Sequence, residues 1–123
     1  MRSRADRGAR AEREAGRYLR RAGYQIIDRN WRCRGGELDI VLARGDLIVF
    51  VEVRSVFTSY LGTPTQTVSP PKQARVAYAA GAWLCAHRRP LGRIRFDVVG
   101  VICRRRRWAI EHIEDAFCPA WAY

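Results

Sequence analysis

The segment Gly35–Val56, GGELDIVLARGDLIVFVEVRSV, decides how this chain is read. It is the most strand-like run in the 123 residues, yet Glu37, Asp39, Glu52 and Arg54 stand among its apolar residues. Side chains along a strand alternate between faces. Over residues 47–54 this puts Ile48, Phe50, Glu52 and Arg54 on one face. Val49, Val51 and Val53 take the other, which is expected to meet the core. The residues ARGD, 43–46, signal a hairpin between strands 37–42 and 47–54. Two registers keep Asp39 beside Glu52. A two-residue loop at Arg44-Gly45 pairs Asp39 with Phe50 and leaves it diagonal to Glu52. A four-residue loop from Arg44 to Leu47 sets the two acids directly opposite. Either way their Cβ atoms stand roughly 5–8 Å apart, and Glu37 shares the face. A three-residue loop would slip the register by one and separate them.

Carboxylates gathered on one face repel and need a cation, a proton or an arginine. Two readings follow. In one, a hard divalent ion such as Mg²⁺ or Mn²⁺ takes oxygen ligands from Asp39 and Glu52, with phosphate and water completing its shell. Such an ion stabilises charge developing at phosphorus and activates water, and a basic residue beside it neutralises the transition state. In the other, the face is solvated and Glu52 and Arg54 form an ion pair of little energetic value.

Outside the hairpin, residues 9–22 carry Ala11, Ala15, Tyr18, Leu19 and Ala22 at helical spacing, with Gly23 as the stop and Glu12 on or beside the apolar stripe. Residues 1–8 are polar and expected to be disordered, leaving 9–123 as one domain. Tyr24–Trp31 reads as a strand and RCRGG as a basic turn. Residues 55–69 read as a loop, a place where function concentrates, and its Tyr60 is the aromatic best placed for base stacking. A second helix opens with Ser69 as N-cap and Pro70 at its first position. Ala77, Ala80 and Leu84 supply its buried face, Val76 and Trp83 its margins, and Gly81 a close approach to a sheet. Arg93–Cys103 is a further strand, Arg104–Arg107 a turn and WAIEHI an edge strand. Asp97 is expected to pair with an arginine, and His112 to be structural. The tryptophans are expected in core or interface positions. The order α-β-β-β-α-β-β describes an α/β domain: a mixed sheet of about five strands flanked by helices.

Net charge is +11, and a field of that sign attracts polyanions, nucleic acid first. Arg32 and Arg34 flank the acidic hairpin, and the four-arginine turn at 104–107 offers further phosphate contacts. Lys72 is the only lysine among 23 basic residues. Lysine is a compact charge that can lose its proton, a role arginine cannot take. No stretch approaches a membrane span, and the charged N-terminus lacks a secretory core, so the expected compartment is the cytoplasm. Cys33, Cys85, Cys103 and Cys118 form no C-x-x-C pair and no zinc spacing with His87 or His112, so they are expected as reduced thiols.

These residues resemble the YraN-type family, small bacterial proteins of uncharacterised function with a restriction-endonuclease-like fold. The resemblance runs from AEREAGRYLRRAGYQIIDRNWRCRGGELDIV through FVEVRS and LGTPTQTVSPPKQAR to RFDVVGV and HIEDAF. The fold it implies is similar to that of Holliday-junction resolvases. By position, Asp39 and Glu52 look like the metal-binding carboxylates, and Glu12 like the acid from the first helix that completes the site. Arg54 stands where the nuclease motif has lysine, and Val56 where relatives often carry a basic residue. Arginine binds phosphate but is a poor partner for activating water. Lys72 matches a lysine opening the family's second long helix.

The function expected is a nucleic-acid-binding, Mg²⁺- or Mn²⁺-dependent endonuclease acting on structured or branched DNA rather than RNA. Its site residues are Glu12, Asp39, Glu52, Arg54 and Lys72. Arg32, Arg34, Arg54, Lys72 and Arg75 are the nucleic-acid contacts. The alternatives are a binding module without cleavage and a homodimeric interaction protein. Resolvases act as dimers, so a homodimer is compatible with the resemblance.

Overall fold

A computed structural model describes residues 4–56, 68–89 and 92–122. Tyr60 and most of the expected long loop lie outside them, as do the side chains of Val56, Cys103 and Arg104. Helix α1 (Arg4–Arg21) leads into strands β1 (Gln25–Cys33), β2 (Gly36–Arg44) and β3 (Leu47–Val56). Helix α2 (Pro70–Ala86) precedes β4 (Arg93–Arg104) and β5 (Arg107–Ile113), and a 3-10 turn spans Ala120–Ala122. Helix α1 starts five residues before the expected position 9, so part of the segment expected to be disordered is helical. Met1–Ser3 lie outside the described residues.

The sheet order is β1-β2-β3-β4-β5. Only β3 and β4 run parallel, so the sheet is mixed and β1 and β5 are its edges. This is the expected α/β layout, a mixed five-stranded sheet with helices in the order α-β-β-β-α-β-β. Arg44 pairs with Leu47 at the ends of the four-residue Arg44–Leu47 loop, whose two central residues are Gly45, at φ +60°, and Asp46. A glycine with positive φ at the first central position matches the right-handed twist of the flanking strands. At the β4–β5 turn, Arg105 and Arg106 take φ +49° and +67°, so the arginine run does turn the chain.

A helix covers each face of the sheet, which the valine-face reading did not anticipate. Ala11, Ala15 and Leu19 of α1 pack with Ile40, Leu42, Val49, Val51, Val99 and Val101. On the opposite face Val76, Ala79, Ala80 and Trp83 of α2 pack with Val41, Ile48, Phe50 and Phe96. The face that carries Glu52 is therefore a second core. Trp83 lies at the centre of the α2 face rather than its margin, and its ring meets Phe50 edge-on at 5.8 Å. Gly81 does not serve the sheet contact expected of it. A Cβ there would meet only Trp121, at 3.9 Å, so the residue faces the C-terminal segment. A bulge between Ile26 and Asp28 turns Asp28 under α2, where it accepts a 2.8 Å hydrogen bond from Trp83 Nε1.

Asp97 ties the α1 side together. It is fully buried and accepts from Arg95 Nε and Nη2, both at 2.8 Å, and from the Asp115 N–H at 3.0 Å. His112 lies 2.7 Å from the same carboxylate and 2.9 Å from the Tyr18 hydroxyl. Arg95 also reaches Tyr24 Oη at 2.6 Å. Burial alone would raise the Asp97 pKa, but the bonds from His112 and Arg95 hold it below the usual value. The pairing expected of Asp97 and the structural part expected of His112 are both present. Cys33, Cys85 and Cys118 are free thiols. Among the described residues no helix is long and apolar enough to cross a membrane.

Removing one partner of a buried charge network strands the others. Asp97→Ala is expected to lose roughly 3–5 kcal/mol in urea unfolding. Arg93→Ala, which breaks the exposed 2.9 Å pair with Asp46, is expected to lose less than about 1 kcal/mol.

Candidate functional site

The β2–β3 ladder runs from Arg44↔Leu47 to Ile40↔Val51 and ends there. The next step in that register sets Asp39 directly opposite Glu52, the tighter of the two expected arrangements. Where the ladder ends, the Val53 N–H donates to Asp39 Oδ2 at 2.8 Å. The Asp39 and Glu52 carboxyls are close enough for each to shift the other's pKa. Glu52 follows Ile48 and Phe50 in the row beneath α2, and this is why it is buried, at 8% exposure.

Helix α2 delivers Lys72 to the pair. Ser69 is extended, at φ −64° and ψ 154°, and its side chain accepts from the Lys72 N–H at 3.4 Å. Pro70 and Pro71 occupy the first turn, where missing N–H groups cost least. Lys72, in that turn, brings Nζ to 3.4 Å from Glu52 Oε1. The chain's single lysine thus stands beside the acids, although strand β3 carries arginine at position 54.

Burial raises the pKa of Glu52 to about 7; the charge of Asp39 adds to the rise and Lys72 opposes it. Burial also raises Asp39, against the Val53 N–H, its neighbour Glu52 and the Lys72 charge. Near neutral pH Glu52 therefore retains its proton in part. Glu12, half-buried on α1, is raised by burial and by the charge of Asp39, while a bond from Asn30 and the Arg29 charge lower it. Asn30 takes φ +49° near the end of β1, a conformation asparagine tolerates better than most residues. Glu12 thus senses the pair electrostatically. Among the described residues no three His, Cys, Asp or Glu side chains gather closely enough to hold a metal ion. The two-acid pair is the assembled part, and its donors are all oxygen, the set a hard cation takes.

A cleft of about 300 Å³ opens beside Lys72, walled by Arg32, Glu37 and Arg75 over Cys33, Gly36 and Val76. Arg32 Nε pairs with Glu37 Oε2 at 3.2 Å, so Glu37 is bound to its cross-strand neighbour rather than to the acid pair. Arg34, Arg54 and Arg75 are exposed. A Cβ on Gly36 would run into the backbone carbonyl of Arg75, so only glycine lets the β1–β2 turn close against α2. The Gly-Gly pair in RCRGG was the available signal for that contact, and the sequence reading took it as a turn alone.

The geometry agrees with kinship. The model of the uncharacterised protein family UPF0102 matches residues 11–101, a span that holds Glu12, Asp39, Glu52 and Lys72. The chain belongs to this family. The UPF0102 protein of Rhodococcus opacus strain B4 is 47% identical over 111 residues, covering 89% of this chain and 94% of that protein. That of Myxococcus xanthus is 45% identical over 114 residues, covering 93% and 90%. That of Geobacter metallireducens is 42% identical over 110 residues, covering 89% and 90%. The UPF0102 membership bears out the YraN-type resemblance.

The buried pair carries a stability cost with a defined pH window. The folded state holds the Glu52 proton up to about pH 7, whereas the unfolded chain releases it near 4.5. Stability attributable to Glu52 is therefore lost as pH rises between those values. Glu52→Gln is expected to raise stability by on the order of 2 kcal/mol at pH 8 and to change it little at pH 4. Thermal melts of metal-free protein at both pH values check this.

Proposed function

We propose that this chain is a nucleic-acid-binding protein that hydrolyses phosphodiester bonds with Mg²⁺ or Mn²⁺ held by Asp39 and Glu52. One observation carries the reading. Two carboxylates, the buried Glu52 and the half-buried Asp39, lie side by side, and Glu52 Oε1 stands 3.4 Å from the only lysine, which lines a cleft walled by Arg32 and Arg75. A solvated face would not bury a carboxyl as deeply as that of Glu52, and a simple ion pair with Lys72 would not set a second acid beside it.

Asp39 and Glu52 would hold the ion as ionised oxygen donors. A bound divalent ion supplies charge neutralisation at the phosphoryl oxygens and a lowered pKa for water. Glu12, whose pKa is raised in part by the charge of Asp39, would add its negative charge to the ion's surroundings from α1. Lys72 Nζ donates to a non-bridging oxygen of the scissile phosphate and offsets charge in the transition state. Arg54 contacts the same phosphate at the exposed end of β3. Arg32, Arg34 and Arg75 hold neighbouring phosphates and set the strand's direction without reading sequence. The resemblance to Holliday-junction resolvases points to structured or branched DNA as the substrate, and to a homodimer as the working form.

A second reading keeps nucleic-acid binding and drops cleavage. It is favoured by Arg54 at the usual lysine position and by the two-acid rather than three-acid cluster. Labelled branched, single-stranded and duplex DNA incubated with Mg²⁺ or Mn²⁺, beside an Asp39→Ala control, separates the two. Cleavage by the parent alone supports the nuclease. Equal product from both proteins, or none from either, removes it. In an active protein, Lys72→Met is expected to cut the rate by on the order of 10²-fold. The same variant is expected to lower the salt slope of binding by about one.

A further inference from the structure

A second groove lies further along α2, on the side turned away from the sheet. It holds about 330 Å³ and is lined by Ala77, Tyr78, Gly81, Ala82, Cys85 and Trp121. Its walls are the two exposed large hydrophobic residues of the described chain, Tyr78 at 61% and Trp121 at 37% exposure. Its floor is made of small side chains. Both walls are held in place. Tyr78 lies over the β1–β2 turn, where a Cβ on Gly35 would stand 2.5 Å from the ring. Trp121 lies against Gly81 and meets Phe96 edge-on at 6.1 Å. An aromatic this exposed gains little for the fold, since most of its ring remains in water.

What adjoins this groove suggests its occupant. Lys72, Arg75 and Tyr78 recur every three residues on α2, so they form one surface stripe. From Lys72 to Tyr78 is about 9 Å along the helix axis. The basic cleft on Lys72 and Arg75 opens on one side of the stripe, and the aromatic groove continues it. Cationic contacts beside aromatic faces form the surface that binds single strands, with phosphates on the cations and unpaired bases on the rings. A base still paired in a duplex cannot enter an apolar slot on a helix surface.

We infer that the groove between Tyr78 and Trp121 receives an unpaired nucleobase of a strand whose phosphates lie along Lys72, Arg75 and Arg32. The protein therefore engages nucleic acid at single-stranded or branched segments rather than along continuous duplex. This rests on the nucleic-acid reading above and specifies the substrate it takes.

The test uses the full chain with three DNA probes at one fixed salt concentration: a single strand, a three-way branch and a duplex. The single strand and the branch carry 2-aminopurine at unpaired positions, because stacking quenches its fluorescence. Expected is quenching by the parent protein and by Tyr78→Phe, and its loss in Tyr78→Ala. Tyr78→Ala and Trp121→Ala are each expected to weaken binding to the single strand and the branch on the order of 10-fold, leaving duplex binding within about 2-fold. Melting curves accompany each variant, and the exposure of Tyr78 makes its replacement tolerable to the fold. If Tyr78→Ala binds all three probes as the parent does while Arg75→Ala weakens them, the groove proposal falls and the nucleic-acid reading stands. If the parent binds none of the probes, both fall. A change of sedimentation mass in Tyr78→Ala, with DNA binding unaltered, assigns the groove to a second copy of the chain and also overturns the inference.

Discussion

Everything at the candidate site depends on the register of one hairpin. Gly45 takes φ +60° within the four-residue loop whose ends, Arg44 and Leu47, pair with each other. From that pair the ladder counts outward to Ile40↔Val51, and the next step meets Asp39 and Glu52. A slip of one residue would send the acids to opposite faces of a sheet that is covered on both. The hydrophobic pattern resists such a slip more strongly here than in a sheet with one wet face. Phe50 would have to leave its contact with Trp83, and Val49 and Val51 would have to leave α1. The packing that stabilises the fold is therefore also what fixes the distance between the two carboxyls.

The same two-sided burial sets their electrostatics. Glu52 extends a row of core residues, so its carboxyl is drawn into apolar surroundings that disfavour its charge. Asp39 compensates in part through the Val53 N–H, a bond that exists only because the strands have stopped pairing with one another at that point. Asp97, on the other face, shows the contrast. It is more deeply buried than Glu52, yet Arg95, His112 and the Asp115 amide satisfy it, and its pKa falls. One buried acid is anchored by donors, and the other is held beside a second acid. Only the latter arrangement would be relieved further by a bound cation.

The sheet and helices were legible in the sequence because alternation and capping are local. Ser69 and Pro70 announce α2, and the period-two rows announce β3. The partners of Asp97 were legible only as a need, since His112, Tyr18 and Tyr24 come to it from distant parts of the chain. The register stayed ambiguous because ARGD supports two loop lengths, and the backbone angle of Gly45 decides between them. Lys72 stood out by its rarity, but its reach to Glu52 depends on where the first turn of α2 lands on the sheet. Asp28 gave no usable signal. Its place beneath α2 comes from a bulge that reverses the expected side of the strand. Tyr78 was missed for a related reason. The helix was read for its buried face, so an aromatic on the opposite side carried no weight until its exposure was visible.

Formal charge clarifies what the site would accept. With both acids ionised, Asp39, Glu52 and Lys72 sum to −1, and one proton brings the sum to zero. That neutral state suits a buried group, and the raised pKa of both acids shifts the pair towards it. Replacing the proton with a divalent ion takes the sum to +1. A single phosphodiester returns it to zero. The cluster can therefore be neutral in two ways: with a proton and no substrate, or with an ion and a phosphate together. A cation alone leaves an uncompensated charge next to Phe50 and Lys72, so phosphate and cation should enter more favourably together than apart. The sum counts Asp39, Glu52 and Lys72 alone; Arg54 is exposed towards the end of β3. The balance inside depends on Lys72, and the exposed arginines supply an outer positive field of the kind that would attract a polyanion.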